Sequence, residues 1–184
     1  MDISFRAINL KDVLYVCENM RASDWKEVLN ALPRAVTTPE VIAMICMNAT
    51  NFGIIACVDN RPAIVAQFSE ILDGTWRAGL FGTEEFEFAA MPMIAELMRE
   101  AFPFMIDRGA VYCEAYADAL NSDGHKLLEF VGFKKRAILE GYGSRGMDVA
   151  LYSITKSEVD NVLLNGRWRI IKRKHTDDRN NRDG

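Results

Sequence analysis

Proton-donating and proton-accepting side chains alternate along the predicted strand AVYCEAYA, residues 110–117. Tyr112, Glu114 and Tyr116 are two residues apart, so they lie on one face of that strand. A tyrosine hydroxyl can donate a proton and a carboxylate can accept one, which are the two steps of general acid–base catalysis. Glu70, near the end of an earlier predicted strand, could serve as a further acid or base. Because sheets also carry such residues on ordinary polar faces, some of them are predicted to have no catalytic role.

Two further reactive side chains lie close to this strand in the sequence. His125 stands one helical turn before Leu128, where an imidazole could donate a proton; the alternative is a solvated histidine on a helix surface. Cys113 could act as a nucleophile, but a small buried side chain is the favoured interpretation on a strand. The candidate catalytic residues are therefore Tyr116, His125 and Glu70.

Metal and disulfide chemistry is not predicted for this chain. Its four cysteines are scattered without a C-x-x-C pair, which argues against a zinc site and a disulfide framework and favours a reducing compartment. Only two histidines are present, His125 and His175, so a multi-histidine metal centre is not expected. No glycine-lysine phosphate loop occurs either.

The charge is divided between an acidic body and a basic C-terminal end. Residues 165–184 contain seven basic and three acidic residues, which gives +4, while the whole chain carries −4, so residues 1–164 carry −8. Apolar side chains alternate with these cations, which predicts binding to a protein partner or a second copy of the chain. Nucleic acid, a membrane face and a frayed, solvated terminus are the alternatives. The candidate partner-binding residues are Arg167, Trp168, Arg169, Lys172, Arg173 and Lys174.

The elements that must position these residues follow from apolar periodicity and from capping and turn residues. Strands are predicted over 3–8, 52–58, 63–71, 75–82, 110–117, 134–142 and 147–154. Helices are predicted after Asn9, from Ser23 to Pro33, after Thr38, over 89–108 with Pro92 in its first turn and a kink at Pro103, over 122–131, and over 157–166. The predicted order is β-α-α-β-β-β-α-β-α-β-β. This order indicates an α/β (α+β) fold with a mixed, mostly antiparallel sheet of about seven strands and helices on both faces.

The stretch NSDGHKLLEFVGF, residues 121–133, carries a family resemblance. Together with the element order, it resembles the Gcn5-related N-acetyltransferase (GNAT) superfamily, in which a strand is followed by a helix of pattern N-x-x-A-x-x-L-Y-x-x-x-G-F. Asparagine, the first leucine, glycine and phenylalanine agree in type and spacing. Glycine replaces the alanine, and leucine replaces the tyrosine. The matching positions are Asn121, Gly124, Leu127, Leu128, Gly132 and Phe133.

The resemblance implies a cleft between two strands that separate near Gly82 and Ala115. Members of the superfamily bind acetyl-CoA there, and a tyrosine commonly protonates the departing thiolate. Leu128 holds that position and has no proton to donate, which predicts a loss of about 10²–10⁴ in rate. The cofactor-binding residues that the resemblance implies are Phe81, Gly82, Thr83, Asn121 and Ser122.

The pyrophosphate loop departs further from the family pattern. Its Gln/Arg and its two glycines are replaced by Glu87, Ala90 and Pro92. Proline removes an amide donor, and Glu84 and Glu85 add negative charge next to a site for a diphosphate. From these replacements we expect no cofactor, and acetyl-CoA only if the chain is an active enzyme.

The run from Asp118 through YSITK also resembles the phage-encoded internal virion proteins of podophages. The sequence therefore predicts a degenerate GNAT fold that acts as an interaction or assembly subunit of a phage particle. One alternative is an active acetyl-CoA-dependent N-acetyltransferase; another is a regulatory module that binds a small ligand.

The predicted organisation is a GNAT-like domain over 1–155, a short helix over 156–166 and a basic tail over 167–184. No apolar run approaches the roughly 20 residues that a membrane span needs, and the N-terminus does not resemble a signal peptide. We therefore expect a cytoplasmic protein, located in the host cytoplasm or the virion if it is phage-encoded.

Overall fold

The computed structural model of the protein describes residues 1–164, and seven strands of this part form one sheet. The predicted tail over 167–184, with its candidate partner-binding residues, lies outside the described residues. The elements in chain order are β1 (Ile3–Ala7), α1 (Leu10–Glu18), α2 (Ala22–Ala31), α3 (Pro39–Ala49), β2 (Phe52–Val58), β3 (Arg61–Leu72), β4 (Thr75–Gly82), α4 (Phe86–Glu96), a π-helical turn (Leu97–Ala101), α5 (Phe102–Asp107), β5 (Tyr112–Asp118), α6 (Ser122–Val131), β6 (Lys134–Leu139), β7 (Val149–Thr155) and α7 (Lys156–Leu164).

The strands lie in the order β1-β2-β3-β4-β5-β7-β6. Only β4 and β5 run parallel among the described pairs, and the other neighbours are antiparallel. This arrangement confirms the predicted mixed, mostly antiparallel sheet of about seven strands. Within residues 1–164, no helix is both long and apolar enough to cross a membrane.

The parallel pair separates before either strand ends. Pairing begins at Thr75 with Tyr112 and stops at Ala78 with Ala115, although β4 continues to Gly82. β4 stays paired with β3 up to Gly82 and β5 stays paired with β7 up to Asp118, so the two halves of the sheet separate between these strands. The divergence leaves an opening in the middle of the sheet.

Helices cover both faces of the sheet, as predicted. One core lies under α4, α5 and α6 and contains the fully buried Trp76 and Tyr152. The other lies under α1 and α3 and contains Val13, Val16 and Phe81. The alternation of β4 side chains between these cores fixes which of its residues face each helical layer.

Three helices connect β1 to β2, as the individual helix predictions have it, whereas the predicted element order counted two. Asn9 caps α1 as expected, because its side chain accepts a hydrogen bond from the backbone N–H of Asp12. Ser23 does not cap α2, since it lies inside a helix that begins at Ala22. The reason is tertiary: Arg21 N–H donates to the Gly82 carbonyl oxygen at 3.0 Å, which keeps the chain extended up to that residue.

The two prolines of the long predicted helix differ in how well their predicted positions agree with the structure. Pro92 lies inside α4 and not in its first turn, because Thr83 accepts the N–H of Phe86 and the helix starts there. Pro103 was predicted to kink the helix. A π-helical turn over Leu97–Ala101 precedes it, which accommodates a residue that cannot donate a backbone hydrogen bond.

Gly82 is required for steric reasons, and we expect Gly82→Ala to destabilise the protein. A Cβ atom there would lie 2.5 Å from the backbone oxygen of Ala63 and 2.9 Å from the Phe86 ring. Backbone atoms cannot move aside as a flexible side chain can, so the free energy of unfolding should fall by about 2–3 kcal/mol. Urea denaturation followed by circular dichroism measures this change.

Gly79→Ala, on the same strand, is the matched control. Its added Cβ would meet the side-chain end of Gln67 at 3.0 Å, which can rotate away. The free energy of unfolding should therefore change by less than about 1 kcal/mol. Equal effects of the two substitutions would contradict the assigned position of Gly82.

Candidate active site between strands β4 and β5

A cavity of about 120 Å³ lies where β4 and β5 separate. Most of its wall is apolar and comes from β3, β4, α4, α5 and α6. The apolar lining includes Phe68, Leu80, Ile94, Leu97, Phe102, Leu127, Leu128, Val131 and Phe133. An apolar chain with few polar groups, such as an alkyl or amide-linked arm, fits a wall of this composition.

The polar part of the cavity wall is small and comes mainly from α2. Its members are Arg21, Asp24, Glu27, Tyr116 and Asn121. The site therefore combines an apolar slot on one side of the sheet with a group of titratable side chains at the opening between the strands. Convergence of few polar groups in a mostly apolar pocket is typical of binding and catalytic sites.

Glu27 is held at the opening by neutral donors. Its Oε1 accepts hydrogen bonds from Asn121 Nδ2 at 2.6 Å and from the Asp118 backbone N–H at 3.3 Å. Among the described ion pairs, none includes Glu27. Burial raises the pKa of the Glu27 carboxyl above its ordinary value, and the Asn121 hydrogen bond opposes this shift. A carboxylate with a raised pKa and neutral hydrogen-bond partners is suited to accept a proton.

Asp24 and Arg21 close one end of the opening. The buried Asp24 accepts a hydrogen bond from the Gly82 N–H through Oδ2 at 2.8 Å, and its Oδ1 lies 2.8 Å from Arg21 Nε. Burial raises the pKa of Asp24, while the Arg21 charge opposes the shift. The Arg21 guanidinium also stacks 3.7 Å from the centre of the Phe86 ring. These contacts attach the start of α2 to the end of β4.

The other end of α2 is attached to the loop between β6 and β7. The Ser144 N–H donates to the Asn30 carbonyl oxygen at 2.8 Å, and the Arg145 N–H donates to Asn30 Oδ1 at 3.0 Å. The Arg145 guanidinium donates to the carbonyl oxygens of Leu29 and Val36. Glu27 thus lies on a helix that is fixed at both ends, which holds its carboxylate in place.

Tyr116 carries the one hydroxyl group among the described lining residues. Its ring stacks on Tyr142 with centroids 5.8 Å apart, and the Arg77 guanidinium lies 5.1 Å from its centre. Burial, and then the nearby Glu114 carboxylate, raise the pKa of Tyr116 to about 12. The phenol therefore keeps its proton at neutral pH and can donate a hydrogen bond.

The other candidate catalytic residues lie elsewhere. Glu70 lies on β3, where it pairs with Trp76 and accepts a hydrogen bond from the Gly74 N–H, so it is next to the β3–β4 turn and at the opposite end of β4 from Gly82. His125 packs edge-on against Tyr152, and its Nε2 lies 3.0 Å from the Asp118 carbonyl oxygen. Neither residue is part of the described cavity wall.

Two further predicted residues sit on the apolar side. Leu128 lines the cavity, so a tyrosine there would reach it, as the family pattern implies. Cys113 is buried on β5, and burial raises the pKa of its thiol to about 12. Such a thiol stays protonated and is a poor nucleophile.

The implied cofactor-binding residues divide into two groups. Asn121 lines the cavity and caps α6, and Gly82 stands at the end of β4. Phe81 is buried in the α1–α3 core, Thr83 is buried beyond the strand, and Ser122 is exposed at the start of α6. Only the first of these groups borders the opening.

The replaced pyrophosphate-loop residues all belong to α4. Glu87 is exposed in its first turn, and Ala90 and Pro92 are half-buried further along. Because α4 begins at Phe86, only three residues separate it from Gly82. The loop between β4 and the helix is therefore short.

Two backbone groups of Leu80 face the opening. The Thr83 N–H donates to the Ala63 carbonyl oxygen of β3 at 2.9 Å, so the N–H groups of Gly82 and Leu80 point away from β3. The Gly82 N–H donates to Asp24. Leu80 lies two residues beyond the last β4–β5 pair, so its N–H and carbonyl are directed into the cavity region.

Sequence reasoning missed Arg21, Asp24 and Glu27. Asp24 and Glu27 are three residues apart and therefore share one face of α2, which is a pattern that the sequence contains. Nothing in the sequence shows that this face meets the ends of β4 and β5. That contact comes from the pairing of Arg21 with Gly82 and from the loop that holds Asn30.

Among the comparisons with known proteins, only the one with solved structures finds proteins similar to this chain. No protein-family model matches the chain, and no curated protein matches it. Similarity to solved structures is extensive. An acetyltransferase of the GNAT family from Bacillus anthracis is 20% identical with a TM-score of 0.60, over 85% of this chain and 96% of that chain.

Two further solved structures have the same architecture. Ard1 from Thermoplasma volcanium is 15% identical with a TM-score of 0.64, over 84% of this chain and 98% of that chain. RimJ from Mycobacterium smegmatis, solved in complex with CoA-disulfide, is 13% identical with a TM-score of 0.64, over 90% of each chain. The protein therefore has the GNAT fold. The acetyltransferase alternative fits these comparisons better than a role in a virion.

Proposed function

We propose that the protein is an N-acyltransferase that moves an acyl group from a thioester to a primary amine at the opening between β4 and β5. The observation that carries this proposal is the Glu27 carboxylate, which faces an otherwise mostly apolar cavity and has neutral hydrogen-bond partners. One of the named GNAT-fold structures is an acetyltransferase and another was solved in complex with CoA-disulfide, which supports the same chemistry.

The donor would lie in the apolar slot, with its thioester at the opening. An acyl-pantetheine arm has the apolar stretches and the amide groups that this slot can accommodate. The Leu80 N–H would donate a hydrogen bond to the thioester carbonyl oxygen, where negative charge develops during attack. The bound donor supplies the activated acyl group.

The acceptor amine would approach from the side of α2. Glu27 would attract the ammonium form and take a proton from its nitrogen, because its hydrogen-bond partners in the described structure are neutral donors and it forms none of the described ion pairs. The free amine then attacks the thioester carbonyl carbon: the C–N bond forms, the C–S bond breaks with its electron pair on sulfur, and the second proton that the nitrogen loses balances the proton that the thiolate gains. The products are an amide and a thiol.

Tyr116 would take the position of proton donor that Leu128 cannot fill. Its hydroxyl is protonated at neutral pH, as that of any tyrosine is, and burial and the Glu114 carboxylate raise its pKa further, to about 12. It can stabilise the departing sulfur by donating a hydrogen bond or a proton. The assignment follows from its place in the cavity wall as the one described hydroxyl group.

The test is direct detection of transfer. The full-length protein would be incubated with an acetyl thioester and a mixture of small primary amines and peptides, with N-acetyl products identified by mass spectrometry and thiol release by colorimetry. We expect both signals to depend on enzyme and amine together. Thioester binding without any transfer would contradict the proposal and favour the small-ligand regulatory alternative.

We expect Tyr116→Phe to lower kcat by a factor of about 10² with the fold unchanged. The hydroxyl would be lost while the ring stays stacked on Tyr142. Tyr142→Phe is the control, because Tyr142 is not part of the described cavity wall, and its kcat should stay within about twofold. Steady-state kinetics of both variants measure the difference, and equal effects would remove Tyr116 from the mechanism.

The charge division of the sequence supports a second proposal, that residues 167–184 contact an acidic partner or another copy. The body carries −8 and residues 165–184 carry +4. Deletion of 167–184 should leave the melting temperature within about 2 °C while weakening salt-sensitive association. Sedimentation at two salt concentrations measures the association, and identical behaviour of both chains would reject the proposal.

A further inference from the structure

The backbone amides that follow β4 are already engaged within the protein. Four of the five amides from Gly82 to Phe86 have acceptors in the described structure. The Gly82 N–H donates to Asp24 Oδ2 at 2.8 Å, and the Thr83 N–H donates to the Ala63 carbonyl oxygen at 2.9 Å. The Glu85 N–H donates to Thr83 Oγ1 at 3.2 Å, and the Phe86 N–H donates to the Thr83 carbonyl oxygen at 3.0 Å. A diphosphate that needs free N–H groups would find few in this segment.

The side chains around these amides carry negative charge. Glu84 and Glu87 are exposed, and Glu85 forms an ion pair with Arg61. Arg21, a nearby cation, is in contact with the Asp24 carboxylate. Two exposed carboxylates with no described cation partner repel a phosphate group at this position.

The end of β4 is also closely packed within the protein. A side chain at Gly82 would collide with the Ala63 backbone, which shows that the β4 end is packed tightly against β3. Arg21 N–H also occupies the Gly82 carbonyl oxygen at 3.0 Å. The hydrogen-bonding groups of Gly82 at the end of β4 therefore already have partners within the protein.

The apolar slot contrasts with this segment. It remains a cavity, and Leu80 directs its N–H and carbonyl groups toward it. The groups that would recognise the thioester end of a donor are available, while those that would recognise a nucleotide diphosphate are not.

We infer that the site recognises its acyl donor through the acyl-pantetheine portion, without a contribution from a nucleotide diphosphate. This inference rests on the proposed function. The same arm occurs in two kinds of donor: a coenzyme whose nucleotide stays in solvent, and a carrier protein. The shared chemistry is the pantetheine thioester, and the experiment separates the sources.

The experiment compares kcat/KM of the full-length protein for acetyl-pantetheine, acetyl-CoA and an acetylated carrier protein. We expect acetyl-pantetheine and acetyl-CoA to agree within about threefold, because the nucleotide adds no contact. A preference of about 100-fold or more for acetyl-CoA over acetyl-pantetheine would overturn the inference. A carrier protein that exceeds both small donors would identify it as the source of the arm, since the extra affinity would come from protein contacts.

Binding separates this inference from the proposed function. If no donor transfers its acetyl group, calorimetry with pantetheine and CoA still tests how the donor is recognised. Equal affinities for the two compounds would support the inference, while the absence of transfer would reject the proposed enzymatic activity. Affinity for CoA about 100-fold higher overturns the inference whether or not transfer occurs. Absence of binding by both compounds overturns the two together.

The double variant Glu84→Gln, Glu87→Gln provides an internal control outside the cavity wall. If the nucleotide does not contact this segment, the ratio of kcat/KM for acetyl-CoA to that for acetyl-pantetheine should stay within about threefold of the original. A rise of about tenfold or more in favour of acetyl-CoA would place the phosphates beside these carboxylates and contradict the inference.

Discussion

Replacing Glu27 with glutamine is expected to lower kcat for amine acylation by a factor of about 10²–10⁴, with little change in the KM for the acyl donor. Glutamine has nearly the same shape and can still accept hydrogen bonds from Asn121 and from the Asp118 N–H through its oxygen. What it cannot do is take a proton from the attacking amine. The substitution therefore separates the chemistry of the site from its structure.

The stability of this variant should not fall with its activity. Burial raises the pKa of Glu27 in the folded protein, so the folded state binds the proton more strongly than the unfolded state does. This contribution to stability is present below the ordinary glutamate pKa and is lost as the pH rises through the raised value. At neutral pH glutamine avoids the buried charge, and the free energy of unfolding should be equal or greater.

The dependence of the reaction rate on pH is a second test of Glu27 as the base. The wild-type rate should fall as the pH decreases through the raised pKa of Glu27, because protonation removes the base. The residual rate of Glu27→Gln should lack that step. Glu18→Gln, an exposed glutamate on α1, is the control and should retain the wild-type profile. A Glu27→Gln variant with full activity would exclude Glu27 as the base.

Replacing Asp24 with alanine is expected to produce the largest loss of stability, about 2–4 kcal/mol in the free energy of unfolding. The substitution removes the acceptor of the Gly82 N–H and leaves the Arg21 guanidinium without its buried carboxylate. Both groups lie at the junction of α2 with β4. The melting temperature and the urea midpoint should fall together, because the junction lies within the folded core of the domain.

Asp123→Ala is the matched control for that substitution. Asp123 also stands in the first turn of a helix and forms an ion pair with a residue three positions away, Lys126. Its side chain is 89% exposed, so its removal should change stability by less than about 0.5 kcal/mol. Similar losses for Asp24→Ala and Asp123→Ala would show that the Asp24 contacts do not hold α2 to the sheet.

Sequence patterns predicted the parts of the fold that depend on local periodicity. Alternation along 110–117 identified β5, and Gly132, with a φ of 110°, ends α6 as predicted. The order of strands after Phe52 followed from turn residues such as Asp59 and Asn60, both of which have positive φ. Each of these features is set by a few neighbouring residues.

Tertiary contacts explain what the sequence did not reveal. Ser23 has the residue type of a cap, but the bond from Arg21 to Gly82 places the N-cap of α2 at Arg21, two residues earlier. Asp24 and Glu27 look like ordinary exposed acids of a helix until β4 and β5 are placed against them. The carboxylates of the candidate site thus depend on residues more than fifty positions away in the chain.

The proton donor, too, could be predicted only in part from the sequence. The replacement of the family tyrosine by Leu128 was visible in the sequence, and the structure places this leucine in the cavity wall. The alternative donor, Tyr116, could be named from its alternation with Glu114, but its relation to Glu27 could not. Both line one cavity because β5 diverges from β4 after Ala115.

A crystal structure with S-acetonyl-pantetheine tests the central claim most directly. In this analogue a methylene group separates the sulfur from the carbonyl, so no acyl group can be transferred. The account predicts the arm between β4 and β5, its carbonyl oxygen within hydrogen-bond distance of the Leu80 N–H, and Glu27 facing the carbonyl carbon. An arm bound elsewhere on the protein, with the cavity between β4 and β5 closed around its own side chains, would contradict the account.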